Sequence, residues 1–212
     1  RALEAFVAAG GGLLVACGDQ MDRLTYNDLL YRGGKGLLPA KLVEAAGDKR
    51  RAPESALRFV DIDTRHPALE FFRDRLQAAL GSLIVFEHMK AEIDPADPQV
   101  RVLARYDDAA NSLALVERRF GRGKVLLLTT SLDAEWNLLP GRPPYLVLMN
   151  ELGKYLGAVT ILLLMTAGTL IDLVPLYLFG NPETTTILSG YIGFVLLGMA
   201  CLAVGQFFSA LT

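Results

Sequence analysis

Two long apolar runs dominate the C-terminal end of the chain. They cover residues 156–180 and 187–211, and the short polar segment 181–186 separates them. Each run is 25 residues long, and about 20 helical residues span the hydrocarbon core of a bilayer. Neither run has the polar face that a helix on the surface of a globular domain presents to water. The pattern therefore predicts a transmembrane helical hairpin.

The chain before this hairpin shows the shorter periods of a globular domain. A predicted helix, Ala2–Ala9, ends in a run of glycines and is followed by the apolar segment Leu13–Ala16. A short, continuously apolar segment is typical of a parallel strand buried inside a sheet. We also predict a short helix over Tyr26–Tyr31 and strands over Leu57–Ile62 and Ser82–Phe86. Such an order of elements is typical of a three-layer α/β fold.

The strand pattern changes in the second half of this domain. Val100–Tyr106, Ser112–Arg119 and Lys124–Thr130 are separated by turn residues, which predicts an antiparallel β-meander. A last helix is predicted over Tyr145–Leu156, where the two preceding prolines are well tolerated in the first turn. The predicted fold class is therefore a three-layer α/β domain with antiparallel C-terminal strands, followed by an α-helical transmembrane hairpin.

Charge divides the chain at nearly the same place as hydropathy. The sequence has 21 Lys and Arg residues and 23 Asp and Glu residues, and only Asp172 and Glu183 lie beyond Leu156. We therefore predict two domains, 1–155 and 156–212. Basic and acidic residues are interleaved in the first domain, so no basic stripe is left for nucleic acid.

The cysteines and histidines provide little chemistry. Cys17 and Cys201 give neither a disulfide framework nor the spacing of metal ligands, and no Cys lies near His66 or His88. We therefore expect no metal, no other cofactor and no nucleic-acid partner. Both ends of the sequence indicate a fragment of a longer protein.

Several segments of the first domain resemble class I glutamine-amidotransferase-like domains. They are Phe6–Val15, Gly121–Leu128, Asp133, Trp136–Pro140 and Tyr145–Leu156. The first resembles the middle strand of that family, and the others resemble its relatives in large bacterial membrane proteins. The resemblance covers about the C-terminal two-thirds of such a domain. It implies a flavodoxin-like fold and a non-catalytic role.

An amidotransferase active site is not expected. The family's enzymes place a Cys on a tight, Gly-flanked elbow, with a His and a Glu two residues apart further along the chain. Cys17 follows the right kind of strand but lacks the flanking small residues. Glu87 and His88 are adjacent and in reversed order, so both side chains cannot face one site from a strand. Without a positioned base nothing would generate a thiolate, and we interpret Cys17 as a buried, apolar strand cysteine.

Three further features have plainer structural interpretations. Gly10–Gly12 could approach a phosphate, but without a second glycine pattern that opens a helix it is read as a helix stop. Asp61 and Asp63 could hold a cation, although two carboxylates alone are a weak metal signal. Trp136 is expected to pack its loop onto the domain and to form no ligand cage.

The apolar hairpin carries motifs that resemble an ABC-2 type transporter permease. They are Gly153–Leu156, Gly180–Pro182, Gly190–Gly193 and Gly205–Thr212. The similarity is to the gliding-motility and multicopper-enzyme-maturation group and covers about the last 60 residues. It implies transmembrane transport by helix packing, without covalent chemistry, in a bacterial inner membrane. The implied partners are the lipid bilayer, the missing permease helices and a separate ATP-hydrolysing ABC subunit.

Six residues are predicted packing or translocation-path positions of this hairpin. They are Asp172, Pro175, Gly190, Gly193, Gly198 and Gly205. Small residues let helix backbones approach closely in lipid, and a proline there kinks its helix. An acid inside a span indicates a functional site by default, but Asp172 could equally reach the interface or pair with a missing helix.

The two resemblances conflict over topology. The positive-inside rule places Lys154, and hence the first domain, in the cytoplasm, whereas the relatives of that domain lie outside it. Gly153–Gly157 suits both families, so a natural fusion and a chimeric gene both stay open, and the chimera is slightly favoured. The leading function is a permease fragment with an α/β accessory domain. The alternatives are a membrane-anchored, non-catalytic binding or scaffold module and an enzyme that requires Cys17 to react.

Overall fold

The computed structural model of the chain describes residues 1–51, 55–73, 77–171, 189–190 and 193. The chain divides into two compact units, Arg1–Leu156 and Gly157–Thr212. The strands found among the described residues all belong to the first unit.

A six-stranded mixed sheet forms the framework of the first unit. Its strands, in spatial order, are β1 (Gly12–Ala16), β8 (Gly123–Leu128), β7 (Leu113–Phe120), β6 (Val100–Tyr106), β3 (Leu57–Val60) and β4 (Ile84–Val85). Strands β1 and β8 pair in parallel, and the other neighbouring pairs are antiparallel. A second, two-stranded antiparallel sheet consists of β2 (Lys41–Gly47) and β5 (Glu87–Glu92).

Four α-helices accompany these strands in the described part of the chain. They are α1 (Ala2–Ala8), α2 (Arg23–Tyr26), α3 (Gln77–Leu80) and α4 (Pro143–Ile171). The Asp22 carboxylate caps α2 by accepting a hydrogen bond from the backbone N–H of Leu24 at 3.1 Å. A π-helical turn over Asn27–Tyr31 continues α2. Gly157 has φ 123° and ψ 82° and interrupts α4, because this left-handed region is open to glycine and strained for other residues.

The largest hydrophobic core lies between the sheet and α4. It combines strand residues such as Leu103, Leu126 and Leu128 with Leu148 and Leu152 of α4, all of them buried. Alternation along the strands directs this apolar face of the sheet inward, and one face of α4 covers it.

A second core contains Cys17 and Trp136. Both are buried together with Leu38, Met89 and Leu127. Trp136 is 6% exposed, and its carbonyl oxygen accepts hydrogen bonds from the residues that follow β4. The prediction that Trp136 packs its loop onto the domain is therefore confirmed.

Several element predictions are confirmed. The β-meander is present as β6, β7 and β8, and the last predicted helix is the part of α4 before Gly157. Strand β1 pairs in parallel as predicted, but it lies at the sheet edge with every residue half-exposed, so the expected burial is wrong. Strands β2 and β5 were not predicted, since their Lys, Glu and Ala residues favour helix when taken alone.

The predicted fold class is wrong. The first unit is a mixed α/β half-barrel made mostly of strands, and α1, α2 and α3 contain only 7, 4 and 4 residues. These helices are too short to form the complete layers of a three-layer fold.

The predicted transmembrane hairpin is not part of the described structure. None of the helices among the described residues is both long and apolar enough to cross a bilayer. Beyond the break at Gly157, α4 is described as far as Ile171. The rest of the first predicted span, and nearly all of the span 187–211, lie outside the described residues.

Candidate functional site

The carboxyl ends of β1 and β8 are the first place to look for a site, because open α/β sheets bind ligands beyond the carboxyl ends of parallel strands. Cys17 follows β1 directly, and its backbone N–H donates to the Leu128 carbonyl at 3.0 Å. The ladder with β8 therefore continues through Cys17. The residue lies in line with the strand, without the exposed elbow that a nucleophile needs.

The environment of Cys17 also makes its thiol a poor nucleophile. The residue is 3% exposed, and its burial raises the pKa of the thiol to about 12 from an ordinary value of 9.0. A shift of about three pKa units lowers the thiolate fraction at neutral pH about a thousandfold. The thiolate is the nucleophilic form, so this position does not support covalent catalysis.

His88 lies in the interior behind this strand end. It is 2% exposed, and its ring centroid lies 4.8 Å from that of Tyr106. Neither ring nitrogen has a hydrogen-bond partner within the described residues. Burial lowers the pKa of His88, and Lys90 adds to this effect, while Asp108 opposes it. An unpaired imidazole in this setting is neutral, since charging it here costs desolvation.

Glu87 does not accompany His88 into the interior. Its carboxylate accepts a hydrogen bond from the backbone N–H of Lys49 at 3.0 Å, so the two neighbouring side chains of β5 reach different surroundings. The prediction that Glu87 and His88 cannot serve one site is confirmed.

The polar residues that follow β8 anchor this loop to neighbouring strands through hydrogen bonds. The Thr129 hydroxyl donates to the Leu113 carbonyl at 2.7 Å, and the Thr130 hydroxyl donates to the Glu87 carbonyl at 3.0 Å. The Asn137 amide donates to the Ser131 carbonyl at 2.8 Å. Buried polar groups of this kind are usually satisfied in native structures, and here they join the loop after β8 to β5 and β7.

Three exposed acids gather near this end of the sheet. Asp19 raises the pKa of Glu135 through its charge and a shared hydrogen bond, Asp133 adds to the effect, and Lys49 opposes it. No group of His, Cys, Asp and Glu within the described ranges has an arrangement that could hold a metal ion. These acids therefore form a solvated edge and no metal centre.

The glycine run Gly10–Gly12, which sequence analysis considered as a phosphate site, has a structural role. Gly10 and Gly11 donate to the carbonyls of Val7 and Phe6 at 2.9 and 3.0 Å, the two bonds of a Schellman motif, with Gly10 at φ 119°. The helix-stop interpretation of these glycines is confirmed.

Asp63 is paired with an arginine side chain. Its carboxylate accepts a hydrogen bond from Arg101 Nε at 2.9 Å and forms an ion pair with the same guanidinium. Asp61 instead receives a weak contact of 3.4 Å from the Asn111 amide. The two acids thus have separate partners.

A buried network of His66, Glu117 and Tyr155 joins three parts of the fold. Nε2 of His66 lies 2.9 Å from Glu117 Oε2, and the Tyr155 hydroxyl donates to Glu117 Oε1. Nδ1 of His66 accepts from the backbone N–H of Ala68 at 3.3 Å. This hydrogen-bond pattern assigns the proton to Nε2. Both ring nitrogens are thus occupied, so His66 positions Glu117 and is not free to act as a general base.

The electrostatics of this network favour an ionised Glu117. Burial alone would raise the pKa of Glu117, but the hydrogen bonds from His66 and Tyr155 outweigh it, and the pKa lies below its usual value. Burial and the bond to Glu117 raise the pKa of Tyr155. The Lys124 ammonium lies 3.6 Å from the centre of the Tyr155 ring, a cation–π contact that partly balances the buried negative charge.

A polar pocket of about 240 Å³ lies on another part of the surface. It is lined by Tyr31, Gly33, Gly34, Lys35, Pro39, Asp94, Asp97 and Arg118. The Arg118 guanidinium donates to the Gly34 and Leu38 carbonyls and lies 3.4 Å from the Asp97 carboxylate. Arg118 therefore connects the two sides of the pocket, Gly34 on one side and Asp97 on the other. The volume equals that of about eight liquid water molecules, enough for a small polar ligand.

The predicted residues of the hairpin are not brought together by the described structure. Asp172, Pro175, Gly198 and Gly205 lie outside the described residues. Gly190 and Gly193 are described and exposed, with no described atom within 4 Å of the position that a Cβ would occupy.

Comparison with known proteins identifies solved structures that share the fold of this chain, but it identifies no family. No protein-family model matches the chain, and no curated protein matches it. The cytoplasmic protein STM3548 from Salmonella typhimurium has a TM-score of 0.55 and 16% identity, over 72% of this chain and 58% of that chain. The cytoplasmic protein STM1381 from Salmonella typhimurium LT2 has a TM-score of 0.50 and 17% identity, over 74% of this chain and 57% of that chain. The likeness shows a shared fold.

These findings correct the functional prediction. The chain spans less than three fifths of the length of either structure that it matches. The predicted permease fragment and its bacterial inner-membrane location are wrong, because both required helices that cross the bilayer, and the described part of the chain contains none. The lipid, permease-helix and ABC-subunit partners depended on that function, so they are not carried further.

Sequence reasoning did not single out the His66–Glu117–Tyr155 network or Arg118. One signal was present, since Glu117 and Arg118 follow the four apolar residues Leu113–Val116 within strand β7. Charged residues are almost never fully buried unless they are paired, so two adjacent charges in such a strand indicate buried partners. Their hydrogen-bond partners His66, Gly34 and Tyr155 lie 38 to 84 residues away in the sequence, which no local pattern identifies.

Proposed function

We propose that the first unit is a non-catalytic binding module. The observation that carries the proposal is the burial of Cys17 at the position where the resembling enzymes hold their nucleophile. Two of the segments that carry the sequence resemblance, Phe6–Val15 and Gly121–Leu128, supply most of β1 and all of β8, which form the parallel pair of the sheet. Cys17 follows β1, and its burial makes the thiol a poor nucleophile.

The experiment compares thiol reactivity in the folded and unfolded chain. Iodoacetamide is added to a Cys201→Ser variant at pH 7.5, and Cys17 modification is followed by mass spectrometry, with urea-unfolded protein as the control. We expect at least a hundredfold slower modification in the folded state, because the thiol is buried and its pKa is raised. Ammonia release from glutamine should stay at the rate of a Cys17→Ala variant. Rapid native labelling, or ammonia release that is lost in Cys17→Ala, would contradict the proposal.

The binding part of the proposal rests on the pocket at Arg118. Its wall carries Lys35 and Asp94 beside the ion pair of Arg118 with Asp97. A balanced set of charges is complementary to a small molecule that carries both a cationic and an anionic group. We therefore assign a zwitterion, such as a free α-amino acid, as the ligand class.

Thermal denaturation tests this assignment. Individual L-amino acids are added at millimolar concentration, and Tm is compared for the unaltered chain, Lys35→Ala and the exposed control Lys41→Ala. Binding to the native state alone should raise Tm in proportion to ligand occupancy. We expect Lys35→Ala to lose the shift and Lys41→Ala to retain it. No shift with any amino acid, or an equal shift in Lys35→Ala, would refute the assigned ligand class while leaving the inertness of Cys17 untouched.

A further inference from the structure

The arginine in the pocket at Arg118 is held by the protein itself. Arg118 is 5% exposed. Its guanidinium donates to the Gly34 and Leu38 carbonyls and lies 3.4 Å from the Asp97 carboxylate. The Nε atom of the same side chain is buried, so a ligand that enters from solvent does not reach it. Arg118 is therefore engaged by the walls of the pocket.

Asp97 is held in the same way. Its Oδ1 accepts a hydrogen bond from the backbone N–H of Gln99 at 2.9 Å, and its Oδ2 is the atom that faces Arg118. Removing one member of a buried ion pair leaves the other charge uncompensated, which is costly. A ligand group that took Arg118 or Asp97 for itself would have to break the ion pair that connects the two sides of the pocket.

The other two charged residues of the pocket are exposed. Lys35 follows Gly34 on one side, and Asp94 lies at the start of the loop that contains Asp97 on the other. Oδ1 of Asp94 accepts a hydrogen bond from the backbone N–H of Ala96 at 2.9 Å, an Asx turn that restrains the carboxylate. Lys35 and Asp94 are thus the charged groups of this pocket that a ligand can reach.

We propose that Lys35 binds the carboxylate and Asp94 the ammonium group of a free amino acid, while the Arg118–Asp97 pair only shapes the pocket. The assignment rests on the proposed binding of a zwitterion at this pocket, and it adds which residue recognises which end. Opposite charges on the two sides of a pocket orient a zwitterion in one direction. The site therefore selects amino acids with both ends free and discriminates against N-acylated and amidated derivatives, in which one charge is missing.

The exposure of Lys35 and Asp94 has a consequence for affinity. Salt screens interactions between groups that face solvent, whereas it screens buried pairs much less. Binding should therefore weaken as ionic strength rises, although the Arg118–Asp97 pair stays intact.

The experiment pairs each end of the ligand with the residue assigned to it. The L-amino acids are each titrated in the free form, as the N-acetyl derivative and as the C-terminal amide, and Kd is measured by NMR. The proteins are the unaltered chain, Lys35→Met and Asp94→Asn, with the exposed residues Lys41 and Glu92 supplying the controls Lys41→Met and Glu92→Gln. Asparagine at position 94 keeps an acceptor for the Ala96 N–H, so the loop retains its turn.

The expected result is a crossed pattern. In the unaltered chain, blocking either end of the ligand should weaken binding about tenfold, which corresponds to the loss of one hydrogen bond to a charged group. Lys35→Met should weaken binding of the free amino acid by the same factor and leave the Kd of the amide unchanged, because the amide has no carboxylate to lose. Asp94→Asn should behave in this way toward the N-acetyl derivative. Both controls should bind like the unaltered chain.

Two results would overturn the assignment while amino acids still bind, so that the pocket remains a binding site. One is equal binding of the free and blocked forms. The other is a Lys35→Met variant that still prefers the free amino acid to its amide, which would place the carboxylate at Arg118. If no amino acid binds in any form, the assignment and the proposed ligand class are both refuted, and the labelling of Cys17 is unaffected by that outcome.

Discussion

Replacing Glu117 with Gln measures how much the buried network contributes to the stability of the first unit. The Glu117 carboxylate accepts hydrogen bonds from both His66 and Tyr155. Glutamine keeps one acceptor oxygen of similar shape but presents an NH₂ donor to the other partner, and it removes the charge. A hydrogen bond to a charged group contributes about 1.5–3 kcal/mol. Since the amide also avoids part of the desolvation cost, we expect Glu117→Gln to lower the free energy of unfolding by about 2 kcal/mol.

Urea denaturation followed by Trp136 fluorescence provides the assay. The chain has one tryptophan, and it is buried in the second core of the first unit, so its emission reports the unfolding of this unit. A Tyr155→Phe variant removes the other hydroxyl contact. The double variant should lose less than the sum of the two single losses by about 1 kcal/mol, because both act on the same carboxylate.

The pH dependence of the unfolding free energy tests the role of the Glu117 charge more specifically. The pKa of Glu117 lies below its ordinary value of 4.5 in the folded state. The unfolded state therefore binds the proton first as pH falls, so the stabilising contribution is complete above about pH 4.5 and is lost through the folded pKa. The deficit of Glu117→Gln should be largest at pH 7 and should shrink below pH 4.5.

Two results would refute this reasoning. One is an unfolding free energy at pH 7 for Glu117→Gln within about 0.5 kcal/mol of the unaltered chain, the usual range for a neutral surface substitution. The other is a deficit that stays constant from pH 7 to pH 3.5. The exposed pair Glu44–Lys90 serves as the control, and Glu44→Gln should leave the urea midpoint nearly unchanged, since solvent screens such pairs.

Two further predictions concern His88 and the glycines. Burial lowers the pKa of His88 below 6.5, so protonation favours the unfolded chain, and stability should fall as pH drops from 7 to 5. His88→Phe should flatten this part of the profile, and an unchanged slope would contradict the assignment. A Cβ at Gly36 would stand 1.9 Å from the Leu30 carbonyl oxygen, whereas nothing lies within 4 Å at Gly141. Gly36→Ala should therefore cost about 3 kcal/mol and Gly141→Ala almost nothing, and equal urea midpoints would show that the Leu30 backbone moves aside.

The antiparallel meander could be predicted because its signals are local. Turn residues at Asp107–Asn111 and Gly121–Gly123 separate alternating segments, and a hairpin needs no information from distant residues. Strands β2 and β5 lack such signals, because residues such as Glu44, Lys90 and Glu92 favour helix when taken alone. They form strands only because they pair with each other across 45 or so intervening residues.

At the candidate site, too, features with local sequence signals could be predicted and features that depend on distant residues could not. The inertness of Cys17 followed from its own neighbours, since the missing elbow and the misplaced Glu87–His88 pair could be read directly. The transmembrane prediction failed because it rested on hydropathy alone. Hydropathy measures composition over a window, whereas the interruption of α4 at Gly157 is a backbone event that composition does not reveal.

The sequence by itself determined the parallel strand after a glycine-terminated helix, the three-stranded meander, the packing role of Trp136 and the burial of Cys17. Each depends on residues that are neighbours in the chain. Only the tertiary structure decided that β1 lies at an edge, that Glu117 is held by His66 and Tyr155, and that Arg118 joins two walls of a pocket. The physical reason is that burial and hydrogen bonding are properties of surroundings. The surroundings of a charged side chain within a strand are set by segments that only folding brings together.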